Sequence, residues 1–173
     1  MRAHFMLFPA ALIAAAPVQA KVLMNIDEAQ RLMFPHASFT QKFMALDPAQ
    51  TASVERTAGA PVHDRRLKAW RVSGASGGWF IVDQVNGKDD WITYAIALTH
   101  DGVVRQIEIL ECASDYDTIT MPEWLAQFTG HRARDEMLDI SNVSGSTLSA
   151  RHLTEGVKKV LLTHSYMLKQ ISD

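Results

Sequence analysis

A run of hydroxyl-bearing residues lies directly before the last long amphipathic stretch of the chain. Residues 141–149 read Ser-Asn-Val-Ser-Gly-Ser-Thr-Leu-Ser. The hydroxyls can cap free backbone N–H groups at a helix start, and the Ser144-Gly145 step allows a tight turn. Several N–H donors and the positive end of the helix dipole would then converge on one point, which suits an anion such as phosphate. A plain helix cap has the same pattern and is the more common case.

The helix that must position these hydroxyls is predicted from apolar residues at three- and four-residue steps. Glu155, Lys158, Lys159 and Lys169 fall between those residues. The pattern predicts an amphipathic helix on a core, in which the one histidine of the apolar face is a core residue with its hydrogen bonds satisfied. The apolar positions are Leu153, Val157, Val160, Leu161, His164, Leu168 and Ile171.

Residues 144–149, continued by 152–157, resemble the S-G-A-T-x-S signature of the FMN-binding domain family. That family includes flavin-bearing subunits of the sodium-pumping NADH:quinone reductase and many small exported proteins. In covalently modified members, the signature threonine carries FMN through a phosphoester bond that a separate flavin transferase installs from FAD. The resemblance implies that Thr147 is the acceptor. The residues that it places around the phosphate are Ser144, Gly145, Ser146, Leu148 and Ser149.

The chain departs from that signature at two positions. Ser146 stands where the family has alanine, which adds one hydroxyl beside the expected phosphate. Ser141 stands where the family usually has aspartate, and the nearest aspartate is Asp139.

A second stretch resembles the same family. Its members carry a glutamate at a strand end, then a short loop, and then a tryptophan, glutamine, phenylalanine and glycine. The resemblance implies flavin-ring contacts from Glu111, Tyr116 and Trp124, because an aromatic side chain can stack on the ring. Trp124 is equally well explained as a core anchor. The matching residues are Glu111, Trp124, Gln127, Phe128 and Gly130, while Asp117 and Thr118 replace loop glycines.

Four stretches rich in Val, Ile, Trp and Tyr are separated by turn dipeptides: residues 67–73, 79–85, 91–99 and 103–112. Pairs such as Asn86-Gly87 and Asp101-Gly102 favour tight hairpins, so the strands should form an antiparallel meander. The fold class is therefore predicted to be α+β, with a mainly antiparallel twisted sheet, packed helices and a long C-terminal helix.

Three shorter helices are predicted from their start signals. Asn25 to Glu28 has the spacing of a capping box and opens a helix that Pro35 ends. Asp47-Pro48 opens a polar, peripheral helix that stops at Gly59. A third capping box, residues 120–123, opens a helix over residues 121–129. Its buried side should carry Trp124, Leu125 and Phe128, and Phe39 and Phe43 are expected in the core although residues 37–46 fit no clear element.

Residues 1–20 have the features of a cleavable secretory signal. Arg2 supplies a positive start, residues 5–16 are apolar, and Val18 and Ala20 are small residues at the two positions that signal peptidase reads. The predicted organisation is a signal peptide (1–20), an N-terminal helical segment packed on the domain (21–66) and the FMN-binding core (67–173). The mature domain should be periplasmic and not inserted in a membrane; an uncleaved N-terminal anchor is the less favoured alternative.

Charge, cysteine usage and histidine spacing exclude several other functions. A net charge of −2 provides no basic face for nucleic acid and no polybasic membrane patch. Cys112, the only cysteine, cannot form an internal disulfide and is expected to be buried. Asp115, Asp117 and Glu123 lack the glycine and the later glutamate of a calcium loop, and the histidines lack metal-ligand spacing. No serine has a hydrolase context.

The sequence therefore leads to an exported electron carrier with FMN as its cofactor. By analogy with the family, its partners would be a flavin transferase and an inner-membrane cytochrome or reductase. Two alternatives remain open: a non-redox binding module that has lost the flavin, and a stand-alone flavin-dependent reductase. The absence of a dinucleotide fingerprint disfavours the reductase.

Overall fold

A single antiparallel sheet of six strands forms the centre of the protein. The computed structural model describes residues 20–74, 77–88, 90–113, 117–142 and 147–172. The strand order is β1-β6-β5-β4-β3-β2, so β3 to β6 form the predicted meander, and β2 extends it at one edge. The strands are β1 (Ala20–Val22), β2 (Ser38–Ala45), β3 (Arg66–Ser73), β4 (Gly78–Asn86), β5 (Trp91–Leu98) and β6 (Val104–Ala113).

The helices are α1 (Ile26–Met33), α2 (Pro48–Ala58), α3 (Pro122–Leu125) and α4 (Thr147–Ser172). The α+β class is confirmed. In the part of the chain that the structure describes, no helix is both long and apolar enough to cross a membrane. The predicted signal peptide, apart from Ala20, lies outside the described residues.

The first two helix starts are confirmed by their cap hydrogen bonds. The Glu28 amide donates to Asn25 Oδ1 over 2.9 Å, and the Gln50 amide donates to Asp47 Oδ1 over 2.8 Å. Gly59, at φ +78°, ends α2 in the left-handed conformation that glycine adopts without strain.

The prediction of the third helix is wrong about where the helix begins and about its being one continuous helix. The α-helical part is only Pro122–Leu125, and a 3₁₀ turn, Ala126–Phe128, follows it. Thr120 ends an earlier 3₁₀ turn, so Met121 takes the cap position and makes no side-chain cap hydrogen bond. The buried side is nevertheless as predicted.

Each face of the sheet carries its own core. The larger core lies between the sheet and α4, and it includes Trp124, Phe128 and Cys112, whose predicted burial is confirmed. The smaller core lies between the other face and α1. α2 packs against α4 and buries Val54 and Ala58, so it is less peripheral than predicted.

Residues 38–45, which had no clear prediction, form the edge strand β2. Phe39 is half-buried, in edge-to-face contact with Phe34 at 6.1 Å. The predicted burial of Phe43 is wrong, because this side chain is 88% exposed. Both side chains point to the same face of the strand, about 13 Å apart. The core cluster that contains residues of α1 packs against Phe39 but does not include Phe43.

The apolar positions of α4 are buried from Leu153 to His164, but two lysines between them are buried as well. Lys158 is 9% exposed and donates to the main-chain carbonyl of Asp135. Lys159 is 6% exposed and pairs with Asp83. These lysines are buried because α4 also packs against α2 and the segment near residue 135. The side chain of Ile171 lies outside the described residues.

Gly156 allows α4 to lie close to the sheet, which leads to a testable prediction. A Cβ there would lie 2.3 Å from Val85 Cγ1 and 2.9 Å from the Tyr94 hydroxyl. We expect Gly156→Ala to lower the free energy of unfolding by about 1 to 2 kcal/mol, since overpacking outweighs alanine's better helix propensity. Urea titration would measure the loss.

A Val85→Ala background supplies the control for this prediction. Removing Val85 Cγ1 relieves the closer of the two contacts and leaves the one with the Tyr94 hydroxyl, so Gly156→Ala should cost clearly less there. An equal cost in both backgrounds would show that the contact between α4 and Val85 is not the cause.

Candidate functional site

Thr147 is the first residue of α4. Its side chain is exposed, Leu148 is 44% exposed, and Ser149 is buried. The first backbone N–H groups of a helix have no acceptor within the helix and carry the positive end of its dipole. The acceptor hydroxyl predicted from the sequence therefore lies where an anion is favoured. The predicted Ser144, Gly145 and Ser146 lie outside the described residues.

The chain that leads into this start is held by two side chains of the preceding helical segment. The Trp124 indole Nε1 donates to the carbonyl oxygen of Ser141 over 2.8 Å. The Ser141 amide donates to Gln127 Oε1 over 2.9 Å. Both main-chain groups of Ser141 are thus bound, two residues before the first undescribed residue. The second family-like stretch thereby holds Ser141, which lies three residues before the stretch that resembles the signature.

Sequence reasoning named Trp124 and Gln127 but did not assign them this role. Their spacing of three residues places both on one side of the helical segment. Trp124 is 5% exposed and packs edge-to-face on Phe128 at 5.2 Å. Its described contacts are those of a core anchor that also positions the loop.

Glu111 is not brought to the same place. It pairs with Thr93 across β5 and with Val22 of β1. Together with Leu110 of the smaller core, these residues line a hollow beside the start of α1. Trp124 belongs to the larger core on the other face. Tyr116, the third predicted ring contact, lies outside the described residues.

A cleft of about 180 Å³ lies beside the first turns of α4. Arg151, one turn after Thr147 on the same side of the helix, lines it and binds Glu155 through a 2.8 Å contact between Nε and Oε1. His152 Nδ1 lies 2.7 Å from the Asn86 carbonyl oxygen and ties the helix to β4. The cleft is lined by a guanidinium group from a residue one helical turn after Thr147.

A larger cleft of about 300 Å³ adjoins the first, and His63, Gln84 and Lys159 line both. Trp91 lines the larger cleft, is 41% exposed and makes an edge-to-face contact with His63 at 5.0 Å. Trp91 is therefore an exposed aromatic side chain in the larger cleft, whose lining includes Lys159 of α4, and sequence reasoning had not singled it out.

A buried polar network forms the wall between the clefts. Lys159 Nζ lies 2.9 Å from Asp83 Oδ2, and it donates to the Gln84 carbonyl over 3.3 Å. The Tyr94 hydroxyl donates to the same Asp83 oxygen over 2.9 Å. Burial, together with the charge of Asp83, raises the pKa of Tyr94 well above its ordinary value, so the phenol stays a neutral donor. Sequence reasoning missed this network because its members lie far apart in the chain.

The chemistry of these groups suits a phosphate attached to a planar ring. Helix-start amides, the Thr147 hydroxyl and Arg151 can receive the phosphate. Arg151 lines the smaller cleft, which adjoins the larger cleft with Trp91. Within the described residues, no group of three or more histidine, cysteine or acidic side chains could hold a metal ion. A scan of protein-family models finds no match to this chain, and a search of curated proteins also finds none.

Proposed function

We propose that this protein is an exported, periplasmic electron carrier that holds FMN as a phosphoester on Thr147 and exchanges electrons with an inner-membrane cytochrome or reductase. The observation that carries the proposal is the pair of hydrogen bonds that Ser141 makes, accepting from Trp124 and donating to Gln127. They hold the second family-like stretch to a residue three positions before the signature stretch.

The residues of this chain would bind and position the cofactor. The amides at the start of α4 and the Arg151 guanidinium would face the phosphate, while Trp124 and Gln127 hold Ser141 in place. FMN supplies the ability to exchange one or two electrons, which lets it link one-electron and two-electron partners.

Covalent attachment has a physical reason in this site. A helix start stabilises a nearby negative charge by only about 0.3 to 1 kcal/mol in exposed geometry. Arg151 is also shared with Glu155. Such contacts retain a cofactor poorly in a dilute compartment, whereas a phosphoester keeps it. In the attachment, the Thr147 oxygen replaces AMP on the FMN phosphorus of FAD, and the hydroxyl proton is lost.

The test is co-expression with an export-competent flavin transferase, followed by intact mass and visible absorbance of the denatured protein. Wild type should carry one FMN, and Thr147→Ala should lose it completely because no acceptor oxygen remains. Thr154→Ala is the matched control, since Thr154 lies two turns later in α4 and donates its hydroxyl to the Ala150 carbonyl. This variant should carry flavin like the wild type.

Other outcomes assign the protein differently. A yellow native protein that loses its flavin on denaturation would bind FMN reversibly and overturn the phosphoester. A colourless wild type would overturn the electron carrier and favour a binding module. Turnover of NADH with an artificial acceptor, without a partner protein, would favour a stand-alone reductase.

A further inference from the structure

A separate cavity lies near the other end of α4, about 25 Å along the helix from Thr147. Its volume is about 190 Å³, and it lies between the β5–β6 turn, the segment after Gly130 and α4. None of its lining residues belongs to the proposed flavin site. They are Asp101, Gly102, Arg132, Ala133, Arg134, Leu161, His164, Ser165 and Leu168.

His164 forms the floor of this cavity and has an unusual environment. His164 is 1% exposed, and its Nε2 has no hydrogen-bond partner among the described residues. The expected core position is confirmed, but the expected satisfaction of its hydrogen bonds is wrong. The ring packs edge-to-face on Trp79 at 5.2 Å, and Trp79 Nε1 also lacks a partner there. Buried polar groups in native proteins are nearly always paired, so these two need an explanation.

The opening above the imidazole depends on a glycine in the β5–β6 turn. Gly102 has φ +75°, which other residues rarely adopt. A Cβ at this position would lie 3.0 Å from His164 Nδ1. The turn therefore leaves one side of the buried ring facing the cavity.

The charges around the cavity favour an anion. Arg132 and Arg134 line its rim, and Asp101 is the one acidic residue among the lining residues. Arg134 Nε is 3.9 Å from Asp135 Oδ1, which is too long for a hydrogen bond. Arg71 adds positive charge behind the floor, with its guanidinium carbon 5.1 Å from the centroid of the Trp79 ring.

We infer that this cavity binds a small free oxyanion of the phosphate or carboxylate class, held by Arg132 and Arg134 with the His164 ring at its floor. Its volume is below the roughly 300 to 1,000 Å³ of pockets for larger ligands, so a nucleotide or a lipid head group with its chain would not fit. Arginine is suited to planar or tetrahedral oxyanions because its donors form a rigid fork.

Binding should take up a proton at the floor. Burial, with a further contribution from Arg71, lowers the pKa of His164 to about 4, so the empty site holds a neutral ring. An anion opposite the ring favours the charged form and raises this pKa. The affinity for the anion should therefore increase as the pH falls toward 4.

The test follows the imidazole ¹⁵N resonances of His164 by NMR in a zwitterionic buffer. Inorganic phosphate and acetate are titrated in separate arms. We expect at least one anion to shift the resonances with saturation and to raise the pKa of His164. The arm with the tighter binding identifies the class of oxyanion.

Arg132→Gln with Arg134→Gln is the deciding variant, because both side chains are exposed and their loss should not unfold the protein. It should weaken binding by at least about tenfold, the effect of losing a charged hydrogen bond. Arg31→Gln, an exposed arginine of α1, should leave binding unchanged. Resonances that respond to neither anion, or equal binding by the double variant, would overturn the site. Anion binding near Thr147 would not shift the imidazole resonances of His164, because the two residues lie about 25 Å apart along α4.

Discussion

Lys159→Met should lower the free energy of unfolding by about 3 kcal/mol, the lower end of the range for breaking a buried ion pair. The substitution leaves Asp83, which is 20% exposed, with the Tyr94 hydroxyl as its remaining side-chain donor in the described network. It also removes the donor that reaches the carbonyls of Pro61 and Gln84. Chemical denaturation at neutral pH would measure the loss.

Two companion variants separate the ion pair from the lysine's bulk. Lys42→Met removes an exposed lysine on β2 and should stay within about 0.5 kcal/mol of wild type. The triple variant Lys159→Met, Asp83→Leu, Tyr94→Phe removes the charged and polar side chains of the network together and should recover much of the loss. A Lys159→Met variant as stable as Lys42→Met would mean that the ion pair contributes nothing to the fold.

Acid should destabilise the protein through His164. The free energy of unfolding should fall by on the order of 3 kcal/mol once the contribution of this residue is lost in full. The folded protein keeps the imidazole neutral down to about pH 4, because burial and Arg71 lower its pKa from the ordinary value of 6.5. Between these two pH values the unfolded chain binds more protons than the folded one. The stability conferred by the neutral ring is therefore present above pH 6.5 and is lost progressively as the pH falls toward 4.

The measurement is the free energy of unfolding at several pH values between 4 and 7, compared with His164→Gln. A zwitterionic buffer avoids the anions expected to bind beside this residue. The variant should show a flatter dependence, because glutamine takes up no proton, while His100→Gln, an exposed histidine, should follow the wild type. Parallel curves for wild type and His164→Gln, or an NMR titration of the ring with a midpoint near 6.5, would contradict the expectation.

The local elements of this protein were predictable because their signals lie within a few residues of each other. The caps at Asn25 and Asp47 need only a side chain and an amide three residues later. The meander needs only alternating patterns and turn dipeptides, and four strands lie within two residues of the prediction at each end. The apolar face of α4 followed from its period alone.

The sequence placed Thr147 in the polar loop before the last helix, whereas the structure makes it the first residue of α4. The sequence also related two stretches to one family. It could not place the side chains that bind Ser141. The hydrogen bonds of Trp124 and Gln127 with Ser141 connect residues 14 or 17 positions apart, because the fold brings α3 and the turn after it beside Ser141. Glu111, matched in the same way, lies on the other face of the sheet, because the register of β5 and β6 shifts near Thr93.

Only the tertiary structure decided which polar residues are buried and which apolar ones are exposed. Lys159 is buried because Asp83, 76 positions earlier, meets it across the contact between α4 and β4. Phe43 is exposed because the smaller core ends before it reaches that part of β2. Burial depends on what covers a residue from elsewhere in the chain. Periodicity, by contrast, reports only which residues share a face.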